Sequence, residues 1–284
     1  MPESSRTGAR VAILAAAALF STGGAAIKAA TTFSSWQVAC LRSAIASTVL
    51  LLVIPAARRG WSWPMAGVAV AYATTLVAFV VATKLTTAAN AIFLEDTAPL
   101  YLVLAGPVLL KERVRRVDFV VIGLMAAGLA LFLYGGEGAT ATAPDPARGN
   151  LIGAVTGVTW AVTIVGMRWL ARGNSGAGVA TAAMGNLFAA LATVAFAWPF
   201  PAAAVADWLA VSYLGVFQVG LAYVLLARGI GGVPALEASL LILVEPALTP
   251  VWAGLLHGEW PSAVSTLGGV LIIGATAAQL LHRD

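Results

Sequence analysis

Residues 98–112 read APLYLVLAGPVLLKE, and residues 245–259 read EPALTPVWAGLLHGE. In each stretch a proline stands thirteen residues before a glutamate, Pro99 before Glu112 and Pro246 before Glu259, at the end of an apolar block. Two further agreements occur in the same order along the chain. Phe20 and Lys28 have the spacing of Trp160 and Arg168, and Gly123 with Gly128 matches Gly269 with Gly274. Three ordered agreements point to an internal repeat. The small-residue and proline-containing segment 135–149, with Pro144, Asp145 and Pro146, divides the chain near its midpoint. The expected organisation is a first repeat over 1–134, a linker over 135–149 and a second repeat over 150–284.

The blocks around these motifs identify the solvent. Of 284 residues, 60% are hydrophobic and 10% charged, a balance no water-soluble core accommodates. The apolar residues fall into runs of about 20, the length of helix that crosses ~30 Å of hydrocarbon. Runs starting near Val11, Trp36, Pro64, Thr86, Val117, Asn150, Ala177, Val205, Val233 and Ser262 predict an all-α integral membrane protein of ten transmembrane helices. With five spans per half, the second half is expected upside down relative to the first. Gly149, Gly153 and Gly157 form a ridge of small residues suited to close helix packing in lipid.

Charge placement predicts orientation. With a cytoplasmic N-terminus, Arg6, Arg10, Arg58, Arg59, Lys111, Arg113, Arg115, Arg116, Arg168, Arg172, Arg228 and Arg283 lie inside, against Lys28, Lys84 and Arg148 outside. Both termini are then cytoplasmic, in a multi-pass protein of a bacterial-type inner membrane. The net charge of +4 is spent between spans rather than along a polar face, which argues against a nucleic-acid partner. Cys40 is the single cysteine, so neither an internal disulfide nor a cysteine metal cluster is expected. No metal and no cofactor is expected. His257 and His282 lie at span ends, no Ser/His/Asp set shares a depth, and no G-x-x-x-x-G-K-[ST] motif is present, so an enzyme is not indicated.

Residues at membrane mid-depth carry the functional expectation, because a carboxylate at a helix centre costs on the order of 3 kcal/mol. Glu95 and Asp96 fall halfway down the fourth span and Glu245 halfway along the ninth. Successive helical positions differ by ~100°, so at most one of Glu95 and Asp96 faces a cavity. Arg42 enters the membrane on the second span, where it either pairs with one of these acids or serves a ligand. Trp160, Gln218 and Tyr101 lie near mid-depth, and Tyr72, Phe79 and Tyr223 within a few turns of it. These aromatics are substrate-binding candidates for stacking and Gln218 for orienting a head group, with plain core packing as the alternative. Trp36, Trp61, Trp63, Trp198, Trp208 and Trp260 read as interfacial anchors, Lys28 and Lys84 as snorkelling interfacial charges.

Taken with Leu41 and Arg42, with Leu214–Val216 and with Ala222–Val224, the duplicated Pro-to-Glu motifs make the chain resemble the drug/metabolite transporter superfamily, in its EamA-type branch. The nearest kind suggested is the YddG-like exporter of aromatic and hydrophobic amino acids. The resemblance implies a central cavity, alternating access and export of a small amphipathic metabolite, with the lipid bilayer as the other partner. A homodimer is an open alternative. So are amines, drugs or another metabolite class as cargo, and a structural or sensory subunit without cargo. One departure is Phe20, where the family usually has tryptophan.

Overall fold

The structure is a computed structural model that describes residues 3–101, 116–134, 138–171, 176–229, 232 and 241–281. Among them every regular element is helical. Six helical stretches are long and apolar enough to cross a membrane: Arg6–Ala29, Ser35–Val53, Trp63–Leu85, Pro146–Met167, Ala177–Ala197 and Val205–Leu226. Two shorter apolar helices cover Phe119–Tyr134 and Ala263–Ala278. Lys111, Glu112, Arg113, Arg115, Arg172, Val233, His282 and Arg283 lie outside the described residues, as does the start of the linker.

The first crossing is made of α1 (Glu3–Ser21) and α2 (Gly23–Ala29), followed by α3 (Ser35–Val53) and α4 (Trp63–Leu85). Local chemistry starts these helices. Ser34 and Gln37 form a reciprocal capping box at α3, the Ser34 N–H donating to Gln37 Oε1 at 2.9 Å. Ser62 caps α4, where Pro64 occupies a first-turn position that needs no amide donor. Thr87 caps α5 (Ala88–Glu95) by accepting from the Asn90 N–H at 3.1 Å. Beyond α6 (Arg116–Tyr134) come α7 (Pro146–Ala171) and α8 (Ala177–Ala197). The next crossing joins α9 (Val205–Tyr213), a π-helical segment Leu214–Leu221 and α10 (Ala222–Gly229). Finally α11 (Val244–His257), stopped by left-handed Gly258 at φ +66°, leads to α12 (Ala263–Leu281).

Packing repeats across the two halves. The helix α4 packs on α7 and, in the corresponding place, α10 packs on α1; α5 on α7 is matched by α11 on α1. Helices α3 and α8 pack on each other, as do α6 and α12. Both of these pairs run antiparallel. Gln37 reaches the Ala197 carbonyl at 3.0 Å at one end, and Leu50 packs among Ala182 and Ala183 at the other. Phe132 meets Gly268, while Val121 and Met125 sit with Ala275.

Close approach in lipid comes from small residues, since lipid tails offer no hydrophobic drive to associate. The ridge on α7 is used along its length. A methyl group on Gly149 would stand 2.6 Å from the Thr86 backbone nitrogen, and one on Gly157 would stand 2.7 Å from the Leu94 carbonyl oxygen. At Gly153 the obstacle is the Leu94 side chain, which can turn, and at Gly123 on α6 there is open space. Gly149→Ala and Gly157→Ala are therefore expected to lower stability by about 1–3 kcal/mol, with Gly153→Ala milder and Gly123→Ala close to neutral. Thermal unfolding of the purified protein in detergent checks this order; equal effects at Gly149 and Gly123 would contradict it.

Candidate functional site

Regular helix geometry is lost at three places. The first crossing breaks at Thr22, between α1 and α2. The helix α5 ends at Asp96, with φ −69° and ψ 0°, and Thr97 Oγ1 donates to the Leu94 carbonyl at 2.6 Å. A turn at Leu243, with φ −60° and ψ −10°, precedes α11. Asp96 and Leu243 each stand three residues before the repeated prolines, Pro99 and Pro246, so the two halves share the interruption. A fourth irregularity is the π-helical turn Leu214–Leu221, which carries Gln218. Irregular backbone at membrane depth is tolerated where protein or a polar cavity satisfies it.

Such a cavity lies among these breaks. Its volume is about 230 Å³, and Phe20, Arg42, Tyr72, Phe79, Glu95 and Trp160 form part of its wall. Gln218, Tyr223 and Glu245 complete its polar and aromatic lining. Charges of both signs thus face one space. Arg42 is 2% exposed; its guanidinium donates to the Leu76 carbonyl at 2.9 Å. Among the described residues no carboxylate forms an ion pair with Arg42, and its Nε has no hydrogen-bond partner. The alternative of an Arg42–acid pair is therefore not the arrangement seen. Glu95 lines the cavity, whereas Asp96 does not, and Asp96 Oδ2 is buried without a partner among the described residues.

The aromatic wall is internally braced. Tyr72 donates its hydroxyl hydrogen to the Tyr223 oxygen at 2.6 Å. Phe20 meets Tyr223 edge-on with centroids 5.3 Å apart, and Tyr72 lies 6.1 Å from Trp160. Gln218 is positioned by the break in the first crossing. Its Nε2 donates to the Phe20 carbonyl at 3.3 Å, and a methyl on Gly23 would fall 2.6 Å from that nitrogen. Gln218 Oε1 is left without a partner among the described residues. Tyr101 is brought elsewhere, against Gly157 on α7, and is not part of the wall.

The wall also contains residues that sequence reading did not single out. Thr75 bridges α4 to α7 through Thr159 Oγ1 at 2.8 Å, and Leu76, Ile92, Met167, Val219, Leu226 and Ile242 supply apolar surface. Thr75 and Thr159 carry a weak signal, hydroxyls at mid-depth on two different spans. The aliphatic residues carry none, since every span is rich in them.

Past the cavity, towards the linker, lies a knot of buried polar contacts. Lys28 and Glu259 form an ion pair at 2.8 Å, each side chain 4% exposed. Lys28 Nζ also donates to the carbonyls of Thr86 and Thr142, and Glu259 Oε1 accepts from the Ala88 N–H at 2.7 Å. Lys28 is thus locked inward rather than snorkelling. Lys84 likewise turns inward, donating to the Ala30 carbonyl. Beside the knot, Asn150 ties α7 to α6 by donating to the Phe132 carbonyl at 2.7 Å, and accepts from Thr86 and Asn90. Four segments meet there: the end of α2, the α4–α5 turn, the linker and the α11–α12 turn. The six tryptophans expected at interfaces are all exposed, Trp63 most of all at 91%.

Comparison with known proteins agrees with this architecture. A solved crystal structure of a protein superposes with a TM-score of 0.65 at 23% identity, covering 98% of this chain and 100% of that chain, which shows a shared fold. No curated protein matches. The EamA-like transporter family model matches twice, over residues 8–134 and 147–280. With nearly the whole chain accounted for by two copies of that model, this multi-pass membrane protein belongs to the EamA-like transporter family.

Proposed function

We propose that the chain exports small zwitterionic amphipathic metabolites, aromatic or hydrophobic amino acids above all, by alternating access through the cavity at the helix breaks. The observation that carries this reading is the wall itself: Arg42 and the carboxylates Glu95 and Glu245 share about 230 Å³ with five aromatic rings. An ammonium group meets Glu245 or Glu95, a carboxylate meets Arg42 Nε, and the apolar side chain rests among Phe20, Tyr72, Phe79, Trp160 and Tyr223. Buried polar atoms without partners call for an explanation, and a polar ligand supplies one for Arg42 Nε and Gln218 Oε1. At about 230 Å³ the cavity lies below the ~300 Å³ at which pockets for drug-sized ligands begin, which favours a cargo smaller than a drug.

In this reading the chain crosses ten times as two inverted halves, a first repeat over 1–134 and a second over 150–284. Support comes from the antiparallel pairing of α3 with α8 and of α6 with α12, helices in corresponding places of the two halves. The cation distribution supports cytoplasmic termini in a bacterial-type inner membrane. The linker end then faces outward, and the Lys28–Glu259 knot closes it. A buried ion pair costs desolvation, so its value here lies in favouring one state, the outward-closed one. A second reading, export of amines or cationic drugs, is favoured by one feature: the two carboxylates of the wall, Glu95 and Glu245, outnumber its single cation, Arg42.

Counterflow of labelled Phe, Trp, Leu and Thr into proteoliposomes tests the assignment, with saturable flux expected for Phe, Trp and Leu; amine-only flux supports the second reading. Glu245→Gln is expected to cut flux at least about ten-fold at unchanged membrane insertion, as loss of one charge-assisted contact predicts. Unchanged flux removes Glu245 from the mechanism. Closure is tested separately. In a Cys40→Ser background carrying Phe79→Cys, an impermeant maleimide applied from the linker side is expected to label faster after Glu259→Gln. Equal labelling rates would contradict a gating role for the knot.

A further inference from the structure

A second concavity, sharing no residue with the central cavity, opens sideways from the bundle between α4 and α8. It holds about 610 Å³ and is walled by Val70, Ala78 and Val81 of α4 and Phe188 and Ala192 of α8, with Arg148 at one end. From Val70 to Val81, α4 rises about 16 Å, close to the ~15 Å depth of one hydrocarbon leaflet. Val81 stands about one turn short of Leu85 at the linker end, and Val70 lies about 22 Å along α4 from that end, past the helix midpoint but short of its far end at Trp63. A packed helix from another chain would need a surface running the full length of α4, whereas an acyl chain needs only this stretch, which leaves Trp63–Ala69 outside it.

The polar end fits the same ligand. Of the three cations at the linker end, Lys28 is paired with Glu259 and Lys84 is bonded to Ala30. Arg148 is exposed, and only its backbone N–H is engaged, donating to Asp145 Oδ1 at 3.2 Å. Its guanidinium has no ion-pair partner among the described residues. Trp36, an exposed aromatic of the kind found at membrane interfaces, also borders the groove, its ring tilted against Phe196 with centroids 5.2 Å apart. We propose that this groove binds one phospholipid of the leaflet at the linker end, its acyl chain between α4 and α8 and its phosphate on Arg148.

Native mass spectrometry of the full chain, delipidated and titrated with dioleoyl phosphatidylglycerol, tests the proposal. One tightly retained lipid per chain is expected. Arg148→Gln and the groove-filling Ala192→Phe, made on exposed positions, should each reduce its occupancy at least about five-fold, and inorganic phosphate should not displace it. Equal retention by all three proteins would overturn the proposal, as would displacement by phosphate alone, or a two-chain assembly that forms without lipid and is broken by Ala192→Phe. Neither variant touches the central cavity, so lipid binding succeeds or fails independently of the cargo assignment.

Discussion

Charge inside a hydrocarbon slab has to be answered by protein, and in this molecule the rest of the arrangement follows from how it is answered. Lys28 and Glu259 answer one another near the linker end, with backbone groups of Thr86, Ala88 and Thr142 taking the remaining valences. Arg42 is only half answered. It has the Leu76 carbonyl and a cavity, and the carboxylates of Glu95 and Glu245 open onto that same cavity. Each such group costs on the order of 3 kcal/mol or more to place in the membrane. The export proposed above gives that cost a use, because in it cargo completes the unsatisfied sites in one state and leaves them in another.

The interrupted helices make this possible. Continuous helices would bury every backbone donor and acceptor and leave a plain packed bundle. Instead regular helix geometry is lost at Asp96 and Leu243, next to Glu95 and Ile242 of the cavity wall and three residues ahead of matching prolines. The break at Thr22 has no counterpart in the continuous α7, so the halves are not identical. That asymmetry has a visible use: it presents the Phe20 carbonyl to Gln218 from the π-helical turn. Around these irregular points, Gly149 and Gly157 let α7 approach the α4–α5 region more closely than a side chain would allow.

Much of this was legible in the sequence, for physical reasons. Span existence follows from apolar length, and the duplicated Pro99–Glu112 and Pro246–Glu259 spacing exposed the repeat. Charge within a span is rare enough that Arg42, Glu95, Asp96 and Glu245 stood out, and all but Asp96 line the cavity. Direction was harder. Whether Glu95 or Asp96 turned inward depended on the helix break between them and Pro99, which periodicity assumes away. Tyr101 shared the right depth but not the right face. Lys28 looked interfacial because its partner, Glu259, lies 231 positions later in the chain. Cavity-facing aliphatics such as Leu226 and Ile242 carry no signal among so many of their kind.

The central claim is that the cavity recognises both charges of a zwitterion at once. Its most direct test is equilibrium binding of phenylalanine, phenethylamine and 3-phenylpropionate to the purified protein, three ligands with one ring and different charged groups. Phenylalanine binding at least about ten-fold tighter than either single-charge analogue is the predicted result, with the amine's deficit tracing to Arg42 and the acid's to the glutamates. Phenethylamine binding as tightly as phenylalanine would contradict it, and would make this a cavity for cations.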